Sequence, residues 1–566
     1  MLWCTIPGQL NGEEIGEFHL FKRIPFARPP IGKLRFQRPV PADKRTGVRE
    51  ANVYGPACMS NSSVSTSPQK WVDEDCLHIN IFTSSKCLKS NDCAVVVYFH
   101  GGGLQYDSAV MFNDTYLLGT FVNHDVILAI PAFRLGIFSH FVVEDQRIAP
   151  NNLALYDILQ ALEFVKSDIH NFGGNNKKVT IMGHSYGATV ASILTFSTKI
   201  NNDLSLFQQT ISMSSGHDFE TLDFQIQKTR MFAEQANCTV SRKIAKNLTK
   251  NQQDTYMMKC LQDKDAMELL RIQRFMEDSG YPNMALLIQR EPLMQEVPYT
   301  EFFDSPKKIP TLAGCTRYEF DHSTSKKLVA EVISFENPKQ VDQKYRLDSK
   351  TGAYDFGNHS DETQEIMILA KNKVDKLISK GIPAFLYEYT YPKHAKHTDD
   401  LFYLMGVHRF EKDENEQHLA KVYENIFMNF AKFGQPGEGF EISNLENSTY
   451  YDVYWNEETG ERPKMKSNFE KNIMNYWFKD MVAFDKNLTL QKKGELSPKK
   501  PARRFYTETS EHNQISSLFF SVFLVSCIFT AGYLFGRYFC STAKNRNLYI
   551  EMEGCNVPTT KNPYLF

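Results

Sequence analysis

The sequence carries no excess of charge of either sign. Its 64 basic and 66 acidic residues leave a formal net charge of −2, so it lacks the basic surface that a nucleic acid or another polyanion requires. Between residues 1 and about 490 it also lacks internal repeats and low-complexity linkers, which argues against a repeat array or a disordered chain. A hydrophobic fraction of 42% over 566 residues predicts a substantial core, in one large α/β domain with insertions or in two or three ordinary domains.

Two further patterns are missing. No convincing cluster of His, Cys, Asp or Glu stands at metal-ligand spacing, so we expect neither a metal nor another cofactor. The start, MLWCTIPGQLNG, has no basic stretch followed by an apolar run, and therefore no signal peptide. Either the given sequence lacks its true beginning, or a membrane anchor inserts from the cytosol after synthesis; the cysteines and sequons described next favour the first.

The cysteines and Asn-x-Ser/Thr sequons indicate an oxidising compartment. Cys58 and Cys76 bracket a Ser-rich loop, and Cys238 and Cys260 bracket a polar stretch. Both pairs have the spacing of local disulfide loops, although reduced buried thiols remain the alternative. Seven sequons favour a lumenal or extracellular domain and are candidates for glycosylation: Asn61, Asn113, Asn237, Asn247, Asn358, Asn447 and Asn487.

One segment is typical of a membrane anchor. Residues 515–536, ISSLFFSVFLVSCIFTAGYLFG, contain no charge over 22 positions, which is enough for a transmembrane helix. We therefore predict a globular domain at 1–491, a stalk at 492–514, the transmembrane helix at 515–536 and a short tail at 537–566. Basic residues flank the helix on both sides, so charge alone leaves its orientation open.

The globular domain reads as alternating β and α segments. Apolar runs at 94–99, 125–130 and 178–182 predict buried strands, and helical patterns cover 153–165 and 186–196. This alternation predicts a large, mostly parallel twisted sheet with helices on both of its faces.

Two motifs in this domain indicate nucleophilic catalysis. Residues 183–187, GHSYG, form a G-x-S-x-G between a predicted strand and helix, which places Ser185 on a sharp turn with its hydroxyl exposed. Residues 100–103, HGGG, follow the strand at 94–99 and have the pattern of an oxyanion loop. We expect the backbone amides of Gly102, Gly103 and Tyr186 to stabilise a developing oxyanion.

With these motifs, the chain resembles the type-B carboxylesterase and cholinesterase family over nearly all of residues 5–480. Further segments that carry the resemblance are IPFA at 24–27, LRF at 34–36, EDCL at 74–77, FRLG at 133–136, FGG at 172–174, and NFAK at 429–432 with Gly434. The resemblance implies an α/β-hydrolase fold and a serine esterase that acts on small-molecule esters.

The resemblance also implies the rest of a catalytic triad. The acid is Glu319, at the end of IPTLAGCTRYE, and the histidine is His397 in HTDDL, with His394 as the alternative three positions earlier. His397 would take the proton of Ser185 as it attacks an ester, Glu319 would orient the imidazole, and water would release the acyl group.

The chain departs from the family pattern at three positions. His184 stands where the family usually has Glu, and Tyr186 stands where it usually has Ala, a bulk that could crowd the oxyanion loop. Cholinesterases place the choline-binding Trp about ten residues before the second loop cysteine, where this chain has Thr66. Without that cation–π face, acetylcholine is not the expected substrate.

Two other functions stay open at this stage. An acyltransferase would pass the acyl group from the same triad to a small metabolite instead of water, and a neuroligin-like adhesion protein would have lost catalysis. The intact Ser185, Glu319 and His397 favour an enzyme. The tail contains a Tyr-x-x-Φ segment, Tyr549–Met552, which resembles signals read by sorting adaptors; we therefore expect an endosomal or lysosome-like membrane, or else the cell surface.

Overall fold

The computed structural model describes residues 2–5, 8–60, 71–217, 219–280, 286–323 and 329–494. Contacts define two units, Met1–Thr489 and Leu490–Phe566, and only residues 490–494 of the second are described. The predicted stalk beyond 494, the span at 515–536, the tail and Tyr549–Met552 lie outside the described residues. Among the helices that are described, none has the length and apolar character needed to cross a membrane.

One sheet organises the first unit. Its thirteen described strands are β1 Leu2–Thr5, β2 Gly8–Ile15, β3 Phe18–Pro25, β4 Val48–Ala51, β5 His78–Ser84, β6 Cys93–Phe99, β7 Val126–Pro131, β8 Gly174–His184, β9 Gln209–Met213, β10 Thr311–Thr316, β11 Ala384–Tyr389, β12 Tyr450–Val453 and β13 Lys464–Lys466. Their spatial order is β1-β2-β3-β5-β7-β6-β8-β9-β10-β11-β12-β13, with β4 beside β2. The seven central strands, from β7 through β6 to β12 in this spatial order, run parallel. Antiparallel pairs extend the sheet at both ends.

The centre of the sheet matches the prediction. The runs at 94–99, 125–130 and 178–182 correspond to β6, β7 and β8; β7 begins one residue later than predicted, and β8 is longer. β6 and β7 are buried at every position. Because successive side chains point to opposite faces of a strand, this burial means that both faces of the sheet are covered, as in parallel sheets generally.

The described residues also form α-helices, and some of these cover the sheet. The helices are α1 Ser85–Ser90, α2 Asp114–Thr120, α3 Gly136–Ser139, α4 Leu153–Asp168, α5 Tyr186–Phe196, α6 Leu222–Gln235, α7 Arg242–Ala245, α8 Lys250–Asp263, α9 Ala266–Asp278, α10 Tyr299–Phe302, α11 Val329–Val332, α12 Pro338–Thr351, α13 Asp361–Ser379, α14 Phe402–Met405, α15 Glu414–Phe433, α16 Lys471–Asn475 and α17 Met481–Lys492. The helices predicted at 153–165 and 186–196 are α4 and α5. α5 packs on β8 and β9, α13 on β10 and β11, and α15 on β6, β7 and β8.

The predicted disulfides are present. Cys58 is bonded to Cys76, and Cys238 to Cys260. A third bond, Cys87–Cys93, was not predicted; it ties α1 to the first residue of β6. Of the sequon asparagines, six are exposed, as glycosylation requires, and Asn61 lies outside the described residues.

Candidate active site

The candidate site residues lie together at the carboxyl ends of five adjacent parallel strands. His100 follows β6, Ser185 follows β8 and Ser214 follows β9, while Glu319 and His397 lie on the loops after β10 and β11. Ligands of open α/β sheets bind at this edge, because parallel strands bring their following loops together there.

Ser185 occupies a strained turn between β8 and α5. Its φ of 56° and ψ of −128° lie in a sparsely populated region, which costs of order 1–3 kcal/mol. The amide of Ser185 donates to Met213 O at 2.9 Å, which holds the turn against β9. A Cβ on Gly183 would lie 2.1 Å from Gly187 O, and one on Gly187 would lie 2.2 Å from Phe99 O. The two glycines of G-x-S-x-G are therefore steric requirements.

His397 and Glu319 complete a hydrogen-bonded chain with this serine. His397 Nε2 lies 2.9 Å from Ser185 Oγ, and His397 Nδ1 lies 2.5 Å from Glu319 Oε2. The Glu319 side chain is fully buried. The alternative histidine, His394, lies elsewhere: its Nδ1 pairs with Glu416 Oε1 at 2.6 Å.

Two donors that sequence reasoning missed hold the Glu319 carboxylate. Ser214 Oγ and the Thr316 amide both donate to Glu319 Oε1, at 2.5 Å and 2.8 Å. The amide of His397 also donates to Glu319 O at 2.8 Å. The Phe320 ring lies 4.3 Å from the His397 ring. These contacts fix the relative orientation of the acid and the imidazole.

The loop at residues 100–103 packs directly against Ser185. A Cβ on Gly101 would lie 3.0 Å from Ser185 Cβ. Gly102 and Gly103 both adopt positive φ, 84° and 60°, and a Cβ on Gly102 would lie 2.3 Å from Tyr106 O. The backbone conformation that brings this loop beside Ser185 is therefore one that only glycine adopts without strain.

The residues on either side of Ser185 have separate surroundings. The Tyr186 hydroxyl accepts a hydrogen bond from the Leu287 amide at 3.1 Å, so this buried side chain is anchored on the segment around Leu287. His184 is only 1% exposed, and its ring centroid lies 4.8 Å from that of His397. Burial, together with His397, lowers the pKa of His184 well below its ordinary value.

Two further carboxyl groups near the site have raised pKa values. Burial raises the pKa of Asp107 to about 6, against the opposing effect of His397. Burial and the charge of Glu319 raise the pKa of Asp400 to about 8. Within the described part of the chain, no group of His, Cys, Asp or Glu side chains is arranged to hold a metal ion.

The sheet order, the serine on its strand-to-helix turn and the adjoining glycine loop define an α/β-hydrolase-fold serine hydrolase. The chain belongs to the carboxylesterase family, whose model matches residues 3–367 and 360–478. It is similar to liver carboxylesterase 1 of Mus musculus, with 27% identity over 489 residues that cover 74% of this chain and 82% of the relative. It is also similar to carboxylesterase 5A of Mus musculus, with 27% identity over 521 residues, 81% of this chain and 85% of the relative.

Solved structures agree with the fold. A PNB esterase superposes with a TM-score of 0.68 at 21% identity and covers 84% of this chain and 99% of its own. A thermophilic PNB esterase superposes with a TM-score of 0.67 at 21% identity, covering 83% of this chain and 98% of its own. The family identifies the chain as a carboxylesterase-type serine hydrolase.

Proposed function

We propose that this enzyme hydrolyses small-molecule carboxylic esters through a Ser185–His397–Glu319 triad. The observation that carries the proposal is the continuous chain of contacts from Ser185 Oγ to His397 Nε2, and from His397 Nδ1 to Glu319 Oε2. Nucleophile, base and orienting acid within hydrogen-bond reach are the geometric signature of covalent acyl transfer.

The reaction then proceeds in two halves. Ser185 Oγ attacks the ester carbonyl while His397 Nε2 takes its proton, and the amides of Gly102, Gly103 and Tyr186 stabilise the oxyanion. The C–O bond to the alcohol breaks as His397 returns the proton to that alcohol. Water, deprotonated by His397, next attacks the acyl-enzyme; the acid product leaves and Ser185 regains its proton. Glu319 stabilises the imidazolium in both halves.

The labelling of Ser185 tests the nucleophile. Ser185→Ala should lose all reaction with a fluorophosphonate probe and all hydrolysis of p-nitrophenyl esters, because Oγ is the attacking atom. Ser349→Ala is the matched control: Ser349 is an exposed residue of α12, so its labelling and turnover should equal those of the parent. Undiminished labelling of Ser185→Ala would refute the assignment.

The same ester panel, with added alcohols and amines, determines the acyl acceptor. Hydrolysis predicts that the acid is the dominant product whatever acceptor is added. Predominant transfer of the acyl group to an added acceptor would instead identify an acyltransferase that uses the same triad. The absence of any covalent intermediate in the folded parent would favour an adhesion protein.

We further propose that this domain lies on the lumenal or extracellular side of a membrane, anchored by residues 515–536. Three disulfides support an oxidising environment. The six exposed sequon asparagines are compatible with glycosylation there. The segment Tyr549–Met552 is the single feature that favours an endosomal or lysosome-like membrane. The cell surface is the second proposed location.

A further inference from the structure

His184 contacts the catalytic imidazole without a hydrogen bond to it. It is the last residue of β8, immediately before Ser185, and the planes of the His184 and His397 rings are tilted by 41° at a centroid separation of 4.8 Å. His184 Nε2 is buried and has no hydrogen-bond partner among the described residues. Both ring nitrogens of His397 are engaged elsewhere, by Ser185 and Glu319. The contact with His184 is therefore one of ring against ring.

The contact with His184 differs in charge from the other surroundings of His397. Glu319 faces His397 Nδ1, and Asp107, four residues after the loop at 100–103, acts on His397 through space. Asp399 and Asp400 belong to the segment of His397 itself and act on Glu319. His408 lies within electrostatic range of both His397 and His184. On the side of His397 that faces the end of β8, the neighbour is a buried imidazole and not a carboxylate.

We infer that His184 is a positioning residue: its uncharged ring fills the space beside His397 where a carboxylate would hold a proton on that imidazole, and so keeps His397 available as a base at lower pH. The inference rests on the proposed triad. It assigns to the His184 ring a role in setting the pH range over which that triad works.

Elementary electrostatics gives the direction in which a carboxylate at position 184 would shift the pH profile. A carboxylate about 4–6 Å from an imidazole favours the charged imidazolium and raises its pKa by about 1–3 units. Protonated His397 cannot accept the proton of Ser185, so kcat/KM falls on the acid side of its pH profile, which is the acid limb. With an uncharged neighbour, this acid limb lies at a lower pH than it would beside a carboxylate. Burial lowers the pKa of His184 well below its ordinary value and so favours the neutral form of its ring.

The test compares pH profiles of the full-length protein and its variants. The readouts are kcat/KM for p-nitrophenyl acetate and the second-order rate of fluorophosphonate labelling, both from pH 4.5 to 8.5. In His184→Glu the acid limb should move up by about one pH unit, a loss of about tenfold in rate on that limb. In His184→Gln, which adds no charge, the limb should stay within about 0.3 unit of the parent.

His170→Glu is the matched charge control. His170 is exposed and lies just before the start of β8, whereas His184 lies at its end. At about 3.3 Å per residue, the two are separated by several Debye lengths at physiological ionic strength. His170→Glu should therefore leave both profiles unchanged. If His184→Glu fails to fold, as judged by thermal unfolding, the smaller pair His184→Asp and His184→Asn makes the same comparison.

An acid limb of His184→Glu that superimposes on that of the parent would overturn the inference. An equal shift in His184→Gln would do so as well, because it would assign the effect to packing and not to charge. Failure of the triad itself gives a different result: the folded parent would neither react with the probe nor hydrolyse the ester at any pH.

Discussion

Glu319→Gln tests most directly whether the Glu319 carboxylate sets the tautomer of His397 and stabilises its imidazolium form. The carboxylate uses both oxygens: Oε1 accepts from Ser214 Oγ and from the Thr316 amide, and Oε2 accepts from His397 Nδ1. Glutamine replaces one acceptor with an NH2 donor. Placed at Oε1, this donor would oppose the Thr316 amide at 2.8 Å. A backbone amide cannot reverse its polarity, so the NH2 group will face His397.

That orientation forces the wrong tautomer. With an NH2 donor opposite, His397 Nδ1 must act as the acceptor, and the ring proton moves to Nε2, where it faces Ser185 Oγ. The base is then blocked and the imidazolium also loses its counter-charge. Replacing the triad Asp by Asn in a Ser-His-Asp enzyme lowers kcat by about 10⁴. We expect about 10³–10⁴ here, or roughly 4–5.5 kcal/mol of activation free energy.

Ser214→Ala is the matched control. It leaves the Glu319 carboxylate, the Thr316 amide and the His397 tautomer in place and removes one hydrogen bond to a charged group, worth about 1.5 kcal/mol. The expected loss is about tenfold. The assay is kcat for p-nitrophenyl acetate together with the rate of fluorophosphonate labelling, on variants whose thermal unfolding matches that of the parent. A folded Glu319→Gln that retains activity within tenfold of the parent would refute the reasoning.

Two other predictions concern the pH dependence of stability and the subcellular location of the protein. Between the unfolded pKa near 4 and about 8, folded Asp400 holds a proton that the unfolded chain has lost, so its contribution makes the protein less stable as the pH rises through this window. Asp400→Asn should therefore raise the thermal midpoint more at pH 8 than at pH 5; an equal change at both would contradict this. Tyr549→Ala in a tagged protein should move it from the endosomal or lysosome-like membrane to the cell surface, and unchanged imaging would show that the segment has no sorting role.

Sequence was most informative where local sterics dictate residue type. The strand, G-x-S-x-G and helix were predictable because a Cβ at either glycine meets backbone atoms. The short segments that carry the family resemblance have a similar basis. Arg35 of LRF forms a buried ion pair with Glu74 of EDCL at 2.6 Å, and Arg134 of FRLG pairs with Asp157 at 2.7 Å. Such buried charges require their partners, which restricts the residues at both positions.

Long-range contacts without a local signature were not predictable. Ser214 is one of two adjacent serines after β9, and only the approach of β10 brings Glu319 to it. Cys87 and Cys93 bracket a short polar segment, and their spacing is that of a local disulfide loop, as in the other two pairs. The antiparallel strands at the two ends of the sheet were also missed, because their exposed positions break the continuous apolar pattern of the centre.

The two residues beside the nucleophile show why an unusual motif does not imply a lost function. On sequence grounds, the bulk of Tyr186 and the imidazole of His184 both stood as departures at the reaction centre. In the structure, the Tyr186 hydroxyl binds the Leu287 amide, so its side chain stabilises a neighbouring segment while its own amide stays at the start of α5. The His184 ring packs beside His397, which keeps its hydrogen bonds to Ser185 and Glu319. Ser185 thus keeps its hydrogen bond to His397, and the role we infer for His184 is to act through the charge state of that imidazole.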